Sequence, residues 1–171
     1  RSLGKVAIAV ATTGIAALQL DGGKTAHTSF RVPFDSTGSR RGFFSLGIKS
    51  NSTLGKLLRE DVELIIWDEA PMINKDIFDT VDDWMKRERD DQRPFGGVNV
   101  ILGGDFRQVL PVVRGGTRAD QTTASIINSE VFKQFNMVHL YKNIRVENCK
   151  ISDPDRSNQL NQWAEDLKIS P

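Results

Sequence analysis

Apolar positions along the chain collect into short unbroken runs. Lys5–Ala11 (KVAIAVA), Leu64–Trp67 (LIIW), Val98–Leu102 (VNVIL) and Met137–Tyr141 (MVHLY) are four of them. Runs of this length, rich in β-branched residues and bounded by turn formers, predict strands buried on both faces. The stretches between them follow a helical rhythm. Ile15–Leu20 has helical composition, with Thr12 or Thr13 as its N-cap and Asp21-Gly22-Gly23 as its stop. Lys24-Thr25 opens a second short helix that reaches Phe30 before Pro33, and Thr53–Arg59 forms another that feeds the Leu64 run. After Asn74, an N-cap, the residues Ile77, Phe78, Val81, Trp84 and Met85 recur at helical spacing. Asp76 and Asp79 lie early in that helix and Lys86, Arg87 and Arg89 late, which complements the helix dipole. Ala124–Phe135 reads as helix broken near Asn128-Ser129, with Ser129 capping its second part, and Asp155–Lys168 reads as a last helix. Asp35–Ser52, carrying Phe43-Phe44, and Arg114–Asp120 read as loops.

Strand alternating with helix is the rhythm of an α/β fold, a mostly parallel sheet with helices on both faces. Polar clusters follow each strand: Thr12-Thr13-Gly14, Asp68-Glu69, Asp105–Gln108 and Asn143–Arg145. In a parallel sheet these clusters converge on the carboxyl edge, where such folds bind ligands.

Composition narrows this modestly. With 171 residues, 39% hydrophobic and 26% charged, the chain has the length and make-up of one ordinary globular domain. The net charge of +1 is uninformative, but its distribution is not. Gly22–Arg59 holds seven Lys/Arg against one Asp, and Glu60–Asp91 holds four Lys/Arg against twelve Asp/Glu. A basic segment beside an acidic one fits a phosphate-binding face, with solvated surface as the plainer alternative. The single cysteine, Cys149, excludes a disulfide framework and a cysteine-based zinc site. No apolar run approaches the roughly 18 residues of a membrane span. The chain begins Arg1-Ser2 without Met and reads as a piece of something longer.

Nucleoside triphosphate hydrolysis needs a phosphate cradle, a magnesium site, a group that orients water and cations for the γ-phosphate. Asp68 is the candidate magnesium ligand and Glu69 the candidate base; by themselves they read equally well as an acidic turn. Gln108, whose amide both donates and accepts, suits a γ-phosphate or its attacking water, and Arg145 is a candidate arginine finger. The plainer alternatives are a turn residue and a surface ion pair. Gly23-Lys24-Thr25 is a decoy for the phosphate-binding loop G-x-x-x-x-G-K-[ST], because Leu18 stands where its first glycine belongs. The expectation is a P-loop upstream of Arg1. For nucleic acid, Thr12, Thr13, His27 and Thr28 offer polar groups, Arg31, Arg40, Arg41 and Lys49 offer cations, and Phe30, Phe43 and Phe44 offer stacking faces. A phenylalanine ahead of Pro33 is more often core, and a lone histidine such as His27 is more often a hydrogen-bonded interior residue than a ligand or base.

Four blocks in order, ATTGIAALQLDGGKTAHTSFRVP at Ala11–Pro33, IIWDEAPM at Ile65–Met72, GGDFRQVLPVV at Gly103–Val113 and LYKNIRV at Leu140–Val146, resemble the PIF (petite integration frequency) family of DNA helicases. The similarity covers about Lys5 to Val146 and is nearest in feel to the Helitron-associated members. The resemblance implies the first RecA-like motor domain over 1–150, without its P-loop, and a helical connector over 151–171 toward a second RecA-like domain. It further implies ATP as substrate, Mg²⁺ as cofactor and 5′-to-3′ movement on single-stranded DNA. Repair, recombination and telomere upkeep, in the nucleus or mitochondrion, are the family's settings. By motif position Asp68 and Glu69 match the Walker B pair, Gln108 the γ-phosphate glutamine and Arg145 the arginine of the fourth motif. Thr12 to His27 matches the segment that grips the DNA backbone. Lacking the P-loop and the second motor domain, residues 1–171 alone are expected to be inactive. Two other readings are a single-stranded nucleic-acid-binding module without motor activity and an inactive transposon-derived relic.

Overall fold

The computed structural model describes residues 4–33, 45–108, 110–113, 115–142 and 144. Four strands form one sheet: β1 (Val6–Ala11), β2 (Lys24–Thr25), β3 (Val62–Asp68) and β4 (Asn99–Leu102), in the order β2-β1-β3-β4. Every pairing is parallel, so the chain crosses over between strands and all four carboxyl ends lie on one edge. Val10 lies opposite Trp67 and Ala11 opposite Asp68, while Trp67 lies opposite Leu102. This is the α/β architecture expected from the hydrophobic runs.

Side-chain alternation divides the sheet into two unlike faces. Ile8, Val10, Ile65, Trp67, Val100 and Leu102 point one way into the main core, which helix α4 (Lys75–Arg89) completes with Ile77, Phe78, Val81 and Met85. Ala11 joins a smaller cluster on the other face with Ala16 and Ala17 of helix α1 (Gly14–Gln19). Alanines there let α1 approach the sheet closely. The main core is aromatic: Phe30 stacks on Trp67 at 5.4 Å, Trp67 meets Phe78 at 5.7 Å, and Phe78 meets Phe95 edge-on at 5.2 Å.

Caps explain where helices begin. Thr13 accepts from the Ala16 amide at the start of α1, Asn74 from the Asp76 amide at the start of α4. Ser52 caps α3 (Thr53–Lys56), which widens into a π turn at Leu57–Asp61 before β3. Arg89, at the end of α4, donates to the carbonyls of Leu58, Arg59 and Val62 at 2.9, 2.6 and 3.3 Å, and to that of Gly96 at 2.9 Å. It closes that irregular turn by satisfying the Leu58 and Arg59 carbonyls, which the end of a helix leaves without an internal partner.

Four sequence expectations are corrected. Lys24-Thr25 pairs with Val10 and Ala11 as β2, and the helix behind it, α2, spans only Ala26–Ser29. Thr25 both ends the strand and caps α2, a double role that composition does not announce. The Arg114–Asp120 loop instead runs into helix α5 (Arg118–Thr123), begun by a capping box between Thr117 and Asp120. The helix expected over Ala124–Phe135 is two 3₁₀ turns, Ile126–Asn128 and Phe132–Gln134, although Ser129 does cap, accepting from the Phe132 amide at 3.2 Å. Ser129 also donates to Asp79, so its side chain ties this segment to α4 instead of extending a helix. Finally, Met137–Tyr141 is irregular, with Met137, Val138, Leu140 and Tyr141 exposed. Its composition suits a strand, but a strand needs a neighbour's hydrogen bonds, and no ladder to it exists among the described residues.

The first compact unit closes at Phe135 and a second begins at Asn136. The helix read over Asp155–Lys168 and the loop residues Arg40, Arg41, Phe43 and Phe44 lie outside the described residues.

Candidate functional site

Three of the four strand-end clusters meet at the carboxyl edge, as the parallel pairing requires. Asp68 is the last residue of β3, and its carboxylate accepts from the Glu69 amide through Oδ1 at 2.9 Å. Oδ2 makes no hydrogen bond among the described residues. The Asp68 carbonyl accepts from the Thr12 amide at 3.1 Å, which fastens the first cluster to the second.

Glu69 turns the chain off the sheet in a left-handed conformation, φ 51° and ψ 35°. Non-glycine residues adopt this at a cost and cluster at functional sites. Its carboxylate makes no hydrogen bond among the described residues. Behind it, Ala70 donates to the Gly103 carbonyl at 2.9 Å and Gly103 donates to the Trp67 carbonyl at 2.8 Å, so the third cluster is fastened to the second as well.

The glycine pair has a steric reason. A Cβ at Gly103 would stand 3.2 Å from Asp68 Oδ1, and one at Gly104, where φ is +149°, would stand 2.3 Å from Pro71 Cδ. Gly104 is required by its positive φ and by the approach of Pro71, while Gly103 spares Asp68 a tight contact. The turn then presents Asp105, whose carboxyl is held below the usual range, first by the Arg107 amide and then by the Arg107 guanidinium and the Gln108 side chain. The Gln108 amide donates to the Asp105 carbonyl at 3.2 Å, and its side chain is exposed. Phe106, Arg107, Gln108, Pro111, Arg118 and Gln121 border an open cleft of about 530 Å³.

On the other side of the edge lie hydroxyls. Thr12 Oγ1 accepts from the Trp67 indole at 3.2 Å, Thr13 Oγ1 from the Ala16 amide at 3.2 Å, and Thr28 Oγ1 from the Thr25 hydroxyl at 2.9 Å. Each oxygen is thus used as an acceptor, and none of the three hydroxyls donates among the described residues. Their protons remain for an outside acceptor such as a phosphate oxygen. His27 on α2 is half-buried, and burial lowers its pKa, so it is a neutral polar group at pH 7.

Phe30 requires correction. It is wholly buried, stacked on Trp67, and cannot offer a face to a base. Arg40, Arg41 and Arg145 fall outside the described residues. Sequence reasoning missed Thr25, and it missed Trp67, which reads as one more apolar position in a strand; the polar group on its ring was the available signal.

For magnesium, the donor set is one strand-end carboxylate, Asp68, with Glu69 beside it. No group of three or more His, Cys, Asp or Glu side chains gathers among the described residues. One carboxylate with an unengaged oxygen suits Mg²⁺, which takes one or two protein ligands and completes its shell with substrate phosphates and water.

A parallel α/β sheet with an acidic pair, a glutamine-bearing glycine turn and a row of hydroxyls along one edge has the form of a RecA-like domain. The model of the PIF1-like helicase family matches residues 1–169, and the chain belongs to that family. The ATP-dependent DNA helicase PIF3 of Trypanosoma brucei brucei is 35% identical over 100 residues, which cover 58% of this chain and 11% of that protein. The ATP-dependent DNA helicase PIF1 of Homo sapiens is 31% identical over 112 residues, covering 63% of this chain and 16% of that protein. The crystal structure of Pif1 helicase from Bacteroides in complex with ADP-AlF3 and ssDNA aligns at a TM-score of 0.67 and 35% identity, over 85% of this chain and 36% of that one. The chain therefore spans a small part of its relatives' length.

Proposed function

We propose that this chain forms part of the first motor domain of an ATP-dependent DNA helicase that moves 5′ to 3′ on single-stranded DNA. The observation that carries the reading is the hydrogen-bonded meeting of three clusters at one sheet edge: Thr12 to Asp68, and Gly103 to Trp67 and Ala70. Relatives named as ATP-dependent DNA helicases, and a Pif1 structure with ADP-AlF3 and single-stranded DNA, support it.

In this reading Asp68 holds Mg²⁺, which neutralises charge on the transferred phosphoryl group when bound. Glu69, held off the strand by its left-handed backbone, orients and deprotonates water. Gln108, on its turn beside Asp105, contacts the γ-phosphate or that water, and Arg145 supplies a cation to the same group. Thr12, Thr13 and Thr28 donate hydroxyl protons to DNA phosphates, with Lys24 and Arg31 adding charge. Work in repair, recombination or telomere upkeep, in the nucleus or mitochondrion, belongs to the same proposal.

The test is unwinding by the full-length protein that carries this segment. A duplex with a 5′ single-stranded tail is expected to open with ATP and Mg²⁺, and the Glu69→Gln variant is expected to bind ATP and DNA without opening it. Unwinding only from a 3′ tail, or full activity in Glu69→Gln, overturns the reading. Residues 1–171 contain no G-x-x-x-x-G-K-[ST] sequence, and alone they are expected to show no ATP turnover above background.

A further inference from the structure

One residue touches all three clusters, the first through its side chain and the other two through its backbone. Trp67 is wholly buried, and its indole Nε1–H donates to Thr12 Oγ1 at 3.2 Å. Its carbonyl accepts from the Gly103 amide at 2.8 Å, and the next residue is Asp68, whose carbonyl accepts from the Thr12 amide at 3.1 Å. The ring packs against Phe30 at 5.4 Å and Phe78 at 5.7 Å.

A leucine or phenylalanine would fill this core position without a polar atom. A buried indole N–H is costly without an acceptor, so its presence fixes the side chain at position 12 as one that can accept. The consequence for Thr12 is directional. One of its two lone pairs is engaged by the indole, and no described residue accepts its proton, so the hydroxyl can donate outward. Accepting one hydrogen bond also strengthens a hydroxyl as donor in the next.

We propose that Trp67 is a positioning residue that orients the Thr12 hydroxyl toward a DNA phosphate and fixes it relative to the end of β3, where the chain passes to Asp68. This rests on the proposed function and extends it. A phosphate bound at Thr12 pulls on the same hydrogen-bonded unit that sets the β3 end, and a nucleotide bound there acts back on Thr12 by the same amount, because equilibrium coupling is reciprocal.

The test uses oligo-dT as probe. Binding is followed by fluorescence anisotropy, and the indole N–H resonance of Trp67, assigned by its loss in Trp67→Phe, is followed in ¹⁵N–¹H spectra of the full chain. Because the indole is buried beyond contact with DNA, a shift that saturates together with the anisotropy reports transmission through Thr12. Trp67→Phe and Thr12→Val are each expected to weaken binding about 3- to 10-fold, the scale of one hydrogen bond. The double variant should be no weaker than the worse single one. Thr12→Ser should restore binding, and it keeps the question open to test if Trp67→Phe fails to fold. Normal binding with an unmoved indole resonance, or independent losses in the double variant, overturns the coupling and leaves the proposed function standing. No binding of oligo-dT under any condition overturns both.

Discussion

Glu69 is the residue where backbone and chemistry conflict. Its left-handed conformation, φ 51° and ψ 35°, costs a non-glycine residue about 1–2 kcal/mol, and no hydrogen bond of its carboxylate among the described residues offsets it. The conformation leaves the Glu69 carboxylate at the strand end with no described partner. Glu69→Gly is therefore expected to leave stability unchanged or raise it by up to about 1 kcal/mol in urea denaturation, since glycine's greater freedom when unfolded takes back part of the relief. In the full-length enzyme the same change should lower ATP turnover by about 100-fold or more, the usual worth of a positioned base. A clear loss of stability would show that this backbone is not strained. Glu69 also marks the limit of the sequence at this scale. Asp68, Glu69, Gln108, Thr12 and Thr13 were legible because polar residues directly after apolar runs must fall at strand ends. Their conformations were not, because a left-handed glutamate depends on the Ala70–Gly103 and Gly103–Trp67 hydrogen bonds, whose partners lie more than 30 positions apart. Phe30 failed for a related reason. Whether an aromatic stacks on a base or on Trp67 depends on what folds over it.

At the scale of elements, β1, β3 and β4 were legible as unbroken apolar runs, and α1 and α4 because their composition or spacing comes with an N-cap. What escaped were elements defined by contacts: β2, a two-residue strand existing only as a partner of Val10 and Ala11, and the π turn closed by Arg89. Arg89 shows the difference. The sequence offers it as a cation at a helix C-terminus, whereas the fold uses it to satisfy carbonyls of two other segments. Arg89→Ala is expected to cost about 2–4 kcal/mol in chemical denaturation, because several half-buried carbonyls lose a charged donor together. Arg89→Lys should recover only part, since one ammonium cannot span them. The junction of α4 with Ser129 titrates as well. Burial raises the carboxyl of Asp79, against which the Ser129 hydroxyl bond acts more weakly in the other direction. A raised folded-state pKa means that the folded protein holds the proton more tightly than the unfolded chain. The stabilising contribution is then complete below the ordinary carboxylate range and is lost as pH rises through the folded-state value. Asp79→Asn keeps an acceptor for Ser129 and carries no charge. Its melting temperature should exceed that of the parent at pH 7, with the difference vanishing near pH 3; equal melting temperatures at both values would contradict the assignment.

For the whole molecule, the contrast between a basic first third and an acidic middle sharpens once pairing is known. Much of the acidic segment is answered locally. Asp82 sits 2.6 Å from the Lys86 ammonium, a charge contact more than an aligned hydrogen bond, Glu60 lies 2.5 Å from Arg59, and Asp91 lies 2.5 Å from Arg93. Asp91 is accordingly held at a pKa of about 2 by Arg93. By contrast Lys24 and Arg31, both exposed, have no ion-pair partner among the described residues. Lys24 stands in β2, next to the Thr25–Thr28 hydroxyl pair, on the side of the edge assigned to DNA. Lys24 and Arg31 are thus unpaired cations among the described residues, beside an acidic segment about half of whose carboxylates are ion-paired. Single-stranded DNA binding through such a surface is driven by release of counterions, with a log–log salt slope of about −0.7 for each phosphate neutralised. Replacing both Lys24 and Arg31 by alanine is expected to make the slope shallower by about 1.4, and to weaken binding more at 50 mM salt than at 200 mM. Melting should be unaffected, because neither side chain supports the core. The control is Arg93→Ala, which removes a cation paired to Asp91 and should leave the slope where it was. If the two variants change the slope alike, net charge alone governs binding and the hydroxyl-lined edge is not the DNA path. If only the Lys24/Arg31 pair changes it, DNA runs along the edge from Thr12 to Thr28, with the Thr12 hydroxyl held by Trp67 at the end of β3.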